Sequence, residues 1–341
     1  MPTEIIDPVV CRGWNELIAS GPEHSFFHSS NWAAVLVDSY SYKPLYFTRR
    51  EGAQVSALVS VMEVDSLLTG KRGVSLSFTD YCAPISNDEA SFSSIFDEIL
   101  HYGKDAGWKY LEMRGGAKHF NGAVPYGTYA RHVLALHGGE LELFKNFSSA
   151  TRRNIRTAEK SGLRVAVSDF ETDLDEYYRL HCRTRKRHGV PPQPRSFFKA
   201  IHRNVISKGK GFTVLARFQG RPVSGAVYFY SGRKAIYKFG ASDLRYQHLR
   251  PANLVMWEAI KWFSNNGFDE LCFGRTDLDN AGLVHFKSGW GAREETIHYY
   301  RYDFSRSTFV QRLPAFRFPL LQRLPIPLLR LAGTLLYRHI G

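Results

Sequence analysis

Two long stretches of this 341-residue chain contain no acidic residue. From Tyr177 to Ser242 there is not one Asp or Glu, against 15 Lys and Arg. After Asp303 the chain runs to its last position with six Arg and again no acid. The formal net charge is +13, so these two segments carry more than the whole excess and the remainder is net acidic. Scattered solvated charge would not leave such gaps. The pattern argues against a uniformly basic molecule and for an anion-facing surface. Cysteine is scarce as well. Cys11, Cys82, Cys182 and Cys272 stand far apart, with no CxxC and no Cys/His ligand spacing. That argues against a disulfide framework and a zinc site, and for a reducing compartment. No apolar run reaches the roughly 18 residues of a spanning helix. The start, MPTEIIDPVV, lacks a basic segment, so no secretory signal is expected. Neither GxGxxG nor GxxxxGK[ST] occurs, which disfavours Rossmann and P-loop nucleotide binding.

What is present begins with a repeat. Glu51 to Ala57 (EGAQVSA) resembles Gln219 to Gly225 (QGRPVSG), an offset of 219 − 51 = 168. Each is a Gly-containing turn between two apolar strands, a hairpin signal. Gly107 to Met113 (GWKYLEM) resembles Gly267 to Phe273 (GFDELCF), an offset of 267 − 107 = 160. Each follows a helical pattern, Phe92 to Ala106 and Ala252 to Asn266, and each Gly is a natural helix C-cap. Hairpin, helix and strand therefore occur twice in one order. Further helices are expected at 31–39, 151–160, 174–188, 195–207 and 282–288. Strands are expected at 163–167, 234–239 and 296–302. Helices around a mainly antiparallel meander give an α+β class.

Several motifs carry charge or chemistry. Arg152, Arg156 and Lys160 share one face of a basic helix, which suits either a phosphate grip or a solvated face. Arg183 to Gly189 (RTRKRHG) ends a helix and precedes Pro191-Pro192. More cations gather there than the helix dipole needs, which suggests an anion-binding corner built on Arg187 and Arg195. Phe273 to Asp277 (FGRTD) runs a buried strand out into Arg275 and Asp277, followed by Gly282 to Gly291 with Lys287 among aromatic and small residues. A Lys there is suited to hold phosphate or to stabilise charge on a carbonyl oxygen, unless it merely snorkels at the surface. His285 reads as a structural histidine more readily than as a general base. In the tail, Pro314, Pro319, Pro325 and Pro327 argue against a long helix and allow a short one from Leu328. Leu328, Leu329, Leu331, Ala332, Leu335, Leu336 and Ile340 would share one side of it, opposite Arg330, Thr334, Tyr337 and Arg338. Such a helix fits an anionic membrane surface, a packing site on its own protein, or a dimer contact.

These residues resemble the FemAB/FemX-like transferases, most of all the branch found with cell-envelope polysaccharide and exosortase systems. The resemblance rests on Phe27 to Trp32, the RRNIRTAEKSG helix, RTRKRHG, Gly240-Ala241-Ser242, Pro251 to Leu254 with Trp257-Glu258, Phe273 to Thr276, and Gly282 to Gly291. It covers about residues 14–303. It implies tandem GNAT-like domains with mixed, mainly antiparallel sheets flanked by helices, at 1–145 and 146–303, the second holding the basic segment 177–242. Residues 304–341 would be a basic amphipathic tail. It implies transfer of an amino acid from aminoacyl-tRNA to an amine of a peptidoglycan precursor, with Lys287 tied to the transfer step and the Arg187 region to the precursor's phosphates.

More distant relatives use acyl-CoA, and their [QR]xxGx[GA] loop holds pyrophosphate on backbone N–H groups. Here that place reads Gln247 to Ala252 (QHLRPA), with Arg and Pro where Gly and a free N–H are wanted. The expectation is an acyl or aminoacyl transferase with no permanently bound cofactor or metal. Its co-substrate would be aminoacyl-tRNA or acyl-CoA, and its acceptor an anionic envelope precursor. Lys287 would stabilise charge, Asp277 would accept the amine proton, and Arg152, Arg156, Arg187, Arg195 and Arg275 would bind anionic groups. The expected place is the cytoplasm, at the inner face of the cytoplasmic membrane if residues 328–340 touch lipid. Three alternatives stay open: an acyl-CoA-dependent enzyme of envelope polysaccharide synthesis, a non-catalytic RNA-binding protein, and a membrane-associated assembly factor.

Overall fold

The computed structural model describes residues 2–19, 24–52, 54–86, 88–312 and 322–340. Ala53 of the first hairpin turn and Pro314 and Pro319 of the tail lie outside them. By packing, the chain divides into two units. Unit 1 is Met1–Tyr129, Thr296–Ala315 and Leu336–Gly341; unit 2 is Ala130–Glu295 and Phe316–Leu335.

The first half opens with β1 (Glu4–Ile6), α1 (Trp14–Ala19) and α2 (Ser30–Tyr40). Next come the hairpin β2 (Lys43–Glu51) and β3 (Gln54–Val64), then β4 (Arg72–Val74), β5 (Ile85–Ser86), α3 (Glu89–Asp105) and β6 (Tyr110–Arg114). The second run holds β7 (Gly127–Ala135), α4 (Gly139–Asn146), α5 (Ser149–Glu159), β8 (Arg164–Ser168), α6 (Glu171–Arg187) and α7 (Arg195–Asn204). The meander β9 (Gly211–Phe218), β10 (Arg221–Ser231) and β11 (Lys234–Ser242) leads to α8 (Pro251–Asn265), β12 (Glu270–Asp277) and α9 (Ala281–Ser288). The chain closes with β13 (Arg293–Asp303), β14 (Thr308–Phe309) and α10 (Ile326–Ile340).

The repeat read from sequence is a repeat of topology. In unit 1 the hairpin β2–β3 is antiparallel, β3 pairs antiparallel with β4, and α3 leads to β6 parallel to β4. In unit 2 the hairpin β9–β10 is antiparallel, β10 pairs antiparallel with β11, and α8 leads to β12 parallel to β11. Gly107 and Gly267 follow the two helices with φ of +72° and +75°, a backbone that residues with a Cβ rarely adopt. The strand order is β1-β2-β3-β4-β6-β13 in unit 1 and β7-β12-β11-β10-β9-β8 in unit 2.

The units are cut differently from the sequence boundaries 1–145 and 146–303. β13 pairs antiparallel with β6, and Tyr300 is buried with Phe47, Leu111 and Phe120 in the unit 1 core. Leu134, Leu136 and Leu143 instead join Trp257, Phe263 and Trp290 in the unit 2 core. Burial of these side chains, at about 1.5–3 kcal/mol each, decides the partition.

The tail also departs from expectation. α10 begins at Ile326, because Pro327 sits in the first turn, where a missing N–H costs nothing. Leu329, Gly333 and Tyr337 are buried, whereas Leu328, Leu331, Leu335, Leu336 and Ile340 are exposed. The apolar side read from sequence is therefore largely not the side that packs. Gly333 permits the close packing: a Cβ there would lie 2.0 Å from the Pro192 carbonyl oxygen.

Candidate functional site

β12 is buried at Leu271 and Phe273 and then emerges, leaving Asp277 exposed at its end. Within it Gly274 takes φ +70°, which turns the strand. The next helix, α9, is capped by Asn280, whose side chain accepts from the Leu283 N–H at 3.2 Å. It delivers Lys287 to the turned strand. Lys287 is 2% exposed, and its Nζ donates to the carbonyls of Gly274 at 2.9 Å and Arg275 at 3.3 Å. Burying an ammonium is costly, and these charge-assisted bonds offset part of the cost. Lys287 is therefore no snorkelling surface residue. Arg275 meets it through backbone, and His285, on the same helix, is exposed.

Sequence reasoning missed the neighbours of Lys287. His132, on β7, is fully buried, and its Nε2 lies 3.2 Å from Ser288 Oγ and 3.1 Å from Glu294 Oε2. Ser288 Oγ donates to the Val284 carbonyl at 2.9 Å. Burial lowers the His132 pKa and the Lys287 charge adds to this, against the opposing pull of Glu294, so the ring favours its neutral form. Its Nδ1 is buried with no hydrogen-bond partner among the described residues. β7 carried no strand signal that was read, so nothing marked His132.

The basic helix α5 starts beside this group. Ser148 caps it, accepting from the Thr151 N–H at 3.2 Å, while the Ser148 N–H donates to the Gly289 carbonyl at 2.9 Å. A Cβ on Gly289 would lie 2.6 Å from Thr151 Oγ1, so Gly is needed at the contact. Arg152 follows, donating to the Lys145 carbonyl at 3.1 Å. Arg156 is exposed and lies over the Phe144 ring, 5.5 Å from its centroid. Lys287, Ser288, His132, Glu294 and the start of α5 thus converge in unit 2.

The expected anion corner looks different in space. Arg187 ends α6 exposed, with Nη2 3.4 Å from His188 Nε2. Arg195 opens α7, but its guanidinium fork is engaged by both oxygens of Asp175. Arg183 reaches Asp243 at 3.3 Å, and Arg245 binds the same carboxylate at 2.6 Å. Arg183 and Arg195 are thus answered by acids lying just outside the acid-free segment.

The start of α8 is equally informative. Arg250 adopts φ +58°, the left-handed backbone that glycine favours, and Pro251 opens the helix without an N–H. The Asn253 and Leu254 N–H groups are turned back onto the Arg250 carbonyl, at 3.1 and 3.4 Å. A pyrophosphate cradle at this helix start lacks most of its donors. Among the described residues no group of three His, Cys, Asp or Glu side chains could hold a metal ion. Nor is any helix there long and apolar enough to cross a membrane.

Two GNAT-like layouts in tandem define the class of this fold. Residues 145–288 match the acetyltransferase (GNAT) domain model. The chain is similar to a lipid II:glycine glycyltransferase of Staphylococcus epidermidis, 26% identical over 164 residues, which is 46% of this chain and 37% of that protein. The matched stretch therefore spans well under half of this relative's length. In fold it is similar to the crystal structure of FemX, with a TM-score of 0.69 at 14% identity over 89% of this chain and 97% of that one. It is also similar to a tandem GNAT protein from the clavulanic acid biosynthesis pathway, with a TM-score of 0.55 at 9% identity over 89% and 99% of the two chains. The FemX-like resemblance and the tandem GNAT-like fold read from the sequence are both borne out.

Proposed function

We propose that this chain is an aminoacyl transferase that forms an amide on an amine of a lipid-linked cell-envelope precursor, with aminoacyl-tRNA as donor. The observation that carries the reading is Lys287, buried at a strand end and set against two backbone carbonyls. The relatives named lipid II:glycine glycyltransferase support the acceptor class and the aminoacyl group. The occluded start of α8 favours a tRNA ester over a CoA thioester as donor.

In this reaction a neutral amine attacks the ester carbonyl. The new C–N bond forms, the C–O bond to the tRNA ribose breaks, and the amine proton ends on the departing ribose oxygen. The charge of Lys287 stabilises the oxyanion, a contribution of the kind worth about 10²–10³ in rate. His132, neutral and buried beside Lys287, is better placed than the exposed Asp277 to hold the proton in transit. Arg152, Arg156, Arg187 and Arg275 remain the cations proposed to bind donor and acceptor phosphates. Arg195 would first have to leave Asp175.

Purified chain given aminoacyl-tRNA and a lipid-linked precursor should form the amide, and K287A should lower turnover about 10²-fold or more. Transfer from acetyl-CoA with none from aminoacyl-tRNA would overturn the donor. Unchanged turnover in K287A would remove Lys287 from the mechanism.

A further inference from the structure

The outward face of α10 takes no part in this site. Leu328, Leu331 and Leu335 recur at i, i+3 and i+7, so they share one face, and all three are exposed. The stripe Leu329, Gly333 and Tyr337 lies on the opposite side and docks the helix. Leu336 and Ile340 are exposed beyond it.

The end of the helix also holds a loop. Ser66 Oγ lies 2.9 Å from His339 Nδ1, Thr69 Oγ1 donates to the His339 carbonyl at 2.9 Å, and Arg72 Nη2 donates to the same carbonyl at 2.7 Å. Ser66 Oγ further accepts from the N–H groups of Leu68 and Thr69, at 3.2 and 3.0 Å. The loop so fixed presents Leu67 at 101% exposure and Leu68 at 68%. Side chains this apolar, held outward by a polar lock, are unusual on a soluble surface.

The charge around the row selects its partner. Exposed Arg330 and Arg338 edge the leucines, and no acid follows Asp303. Arg330 and Arg195 also line an open groove of about 420 Å³ beside the helix. A second copy docked through the same face would bring an equally basic patch against this one, which is unfavourable. An anionic surface would not. With a rise of about 1.5 Å for each residue, the 15-residue helix is too short to span a bilayer and suits one lying in the headgroup layer.

We propose that the outward face of α10, with its row Leu328, Leu331 and Leu335, docks the protein on a bilayer containing anionic phospholipid. This goes beyond the transfer reaction and does not rest on it. The test is sedimentation of the full chain with vesicles of phosphatidylcholine and phosphatidylglycerol, and with vesicles of phosphatidylcholine alone. Strong binding is expected only to the mixed vesicles. L328S/L335S should weaken it by about tenfold per leucine. Because these side chains are exposed, Tm should not change. Undiminished binding by L328S/L335S overturns the proposal. So does a dimer that the same substitutions dissolve while the wild type binds no vesicle. Vesicle binding by a chain that transfers nothing would support the surface and sink the reaction, so the two fail separately.

Discussion

Residues 177–242 and 304–341 look alike in composition, both basic and both without acid, yet the fold treats them differently. In the first, Arg217 is held by Asp173 and Glu176, Arg195 by Asp175, Arg183 by Asp243, and Arg233 by Asp269. Every one of those carboxylates lies outside the segment in sequence and beside it in space. Three come from the start of α6, where the helix dipole favours acids, and the rest of that helix is basic. The segment's aromatics Phe197, Phe198, Tyr228 and Phe229 are buried. In the tail, no described arginine joins an ion pair, and the helix turns leucines outward. A run of like charge therefore tells where cations are, not whether anything answers them.

The sharpest way to break this comparison is at Arg217. Its guanidinium is three-quarters covered and serves two carboxylates at once, on Asp173 and Glu176. R217M leaves both acids facing each other and should cost about 1–3 kcal/mol, less than a fully buried pair would because solvent reaches the site. Denaturant unfolding measures it. A variant as stable as the wild type would mean that the segment's pairing is decorative and its cations are as available as those of the tail.

His181 offers a second effect within the same segment, one that pH switches on. It is buried, with Nε2 2.8 Å from the Gln193 side-chain oxygen. Burial pushes its pKa from 6.5 to about 3, with the Arg185 charge adding to the shift and the Gln193 bond opposing it. The folded pKa is depressed, so between pH 6.5 and pH 3 the unfolded chain takes up a proton that the folded one refuses. Stability then falls as pH falls, by up to about 1.4 kcal/mol per pH unit from this group. H181Q keeps a donor for Gln193 and removes the titration. Its unfolding midpoint should lose less across that window than the wild type's, and parallel pH profiles would contradict the assignment.

The elements themselves were largely legible because their signals are local. Gly-containing turns between apolar runs marked the two hairpins, Gly107 and Gly267 marked helix ends, and helical patterns marked α3, α6 and α8. The partition of β13 and β7 was not legible, since it depends on which core receives Tyr300 and which receives Leu134. The candidate site was half visible. Lys287 stood out by its setting among Phe286, Trp290 and glycines. His132 and Glu294 did not, because His132 reaches Ser288 from β7, far away in sequence, and Glu294 enters only through His132. The tail was half legible for a similar reason: amphipathic arithmetic marks an apolar side without telling which way it faces, and Gly333 against Pro192 decided which side docks.

The smallest stability effects should come from the tail arginines, and they test the comparison most directly. R330Q and R338Q remove exposed charges with no carboxylate partner among the described residues, so each should change stability by no more than about 0.5 kcal/mol. Each should nevertheless weaken binding to anionic vesicles about fivefold, and raising the salt concentration should shrink that difference. Arg330 is the more exposed to failure of the two, because its guanidinium also lies 5.5 Å over the Tyr178 ring. A cation on an aromatic face contributes about 0.5–1 kcal/mol at an accessible site. If R330Q destabilises as much as R217M and leaves vesicle binding intact, the tail's cations are structural too, and the contrast between the two basic regions disappears.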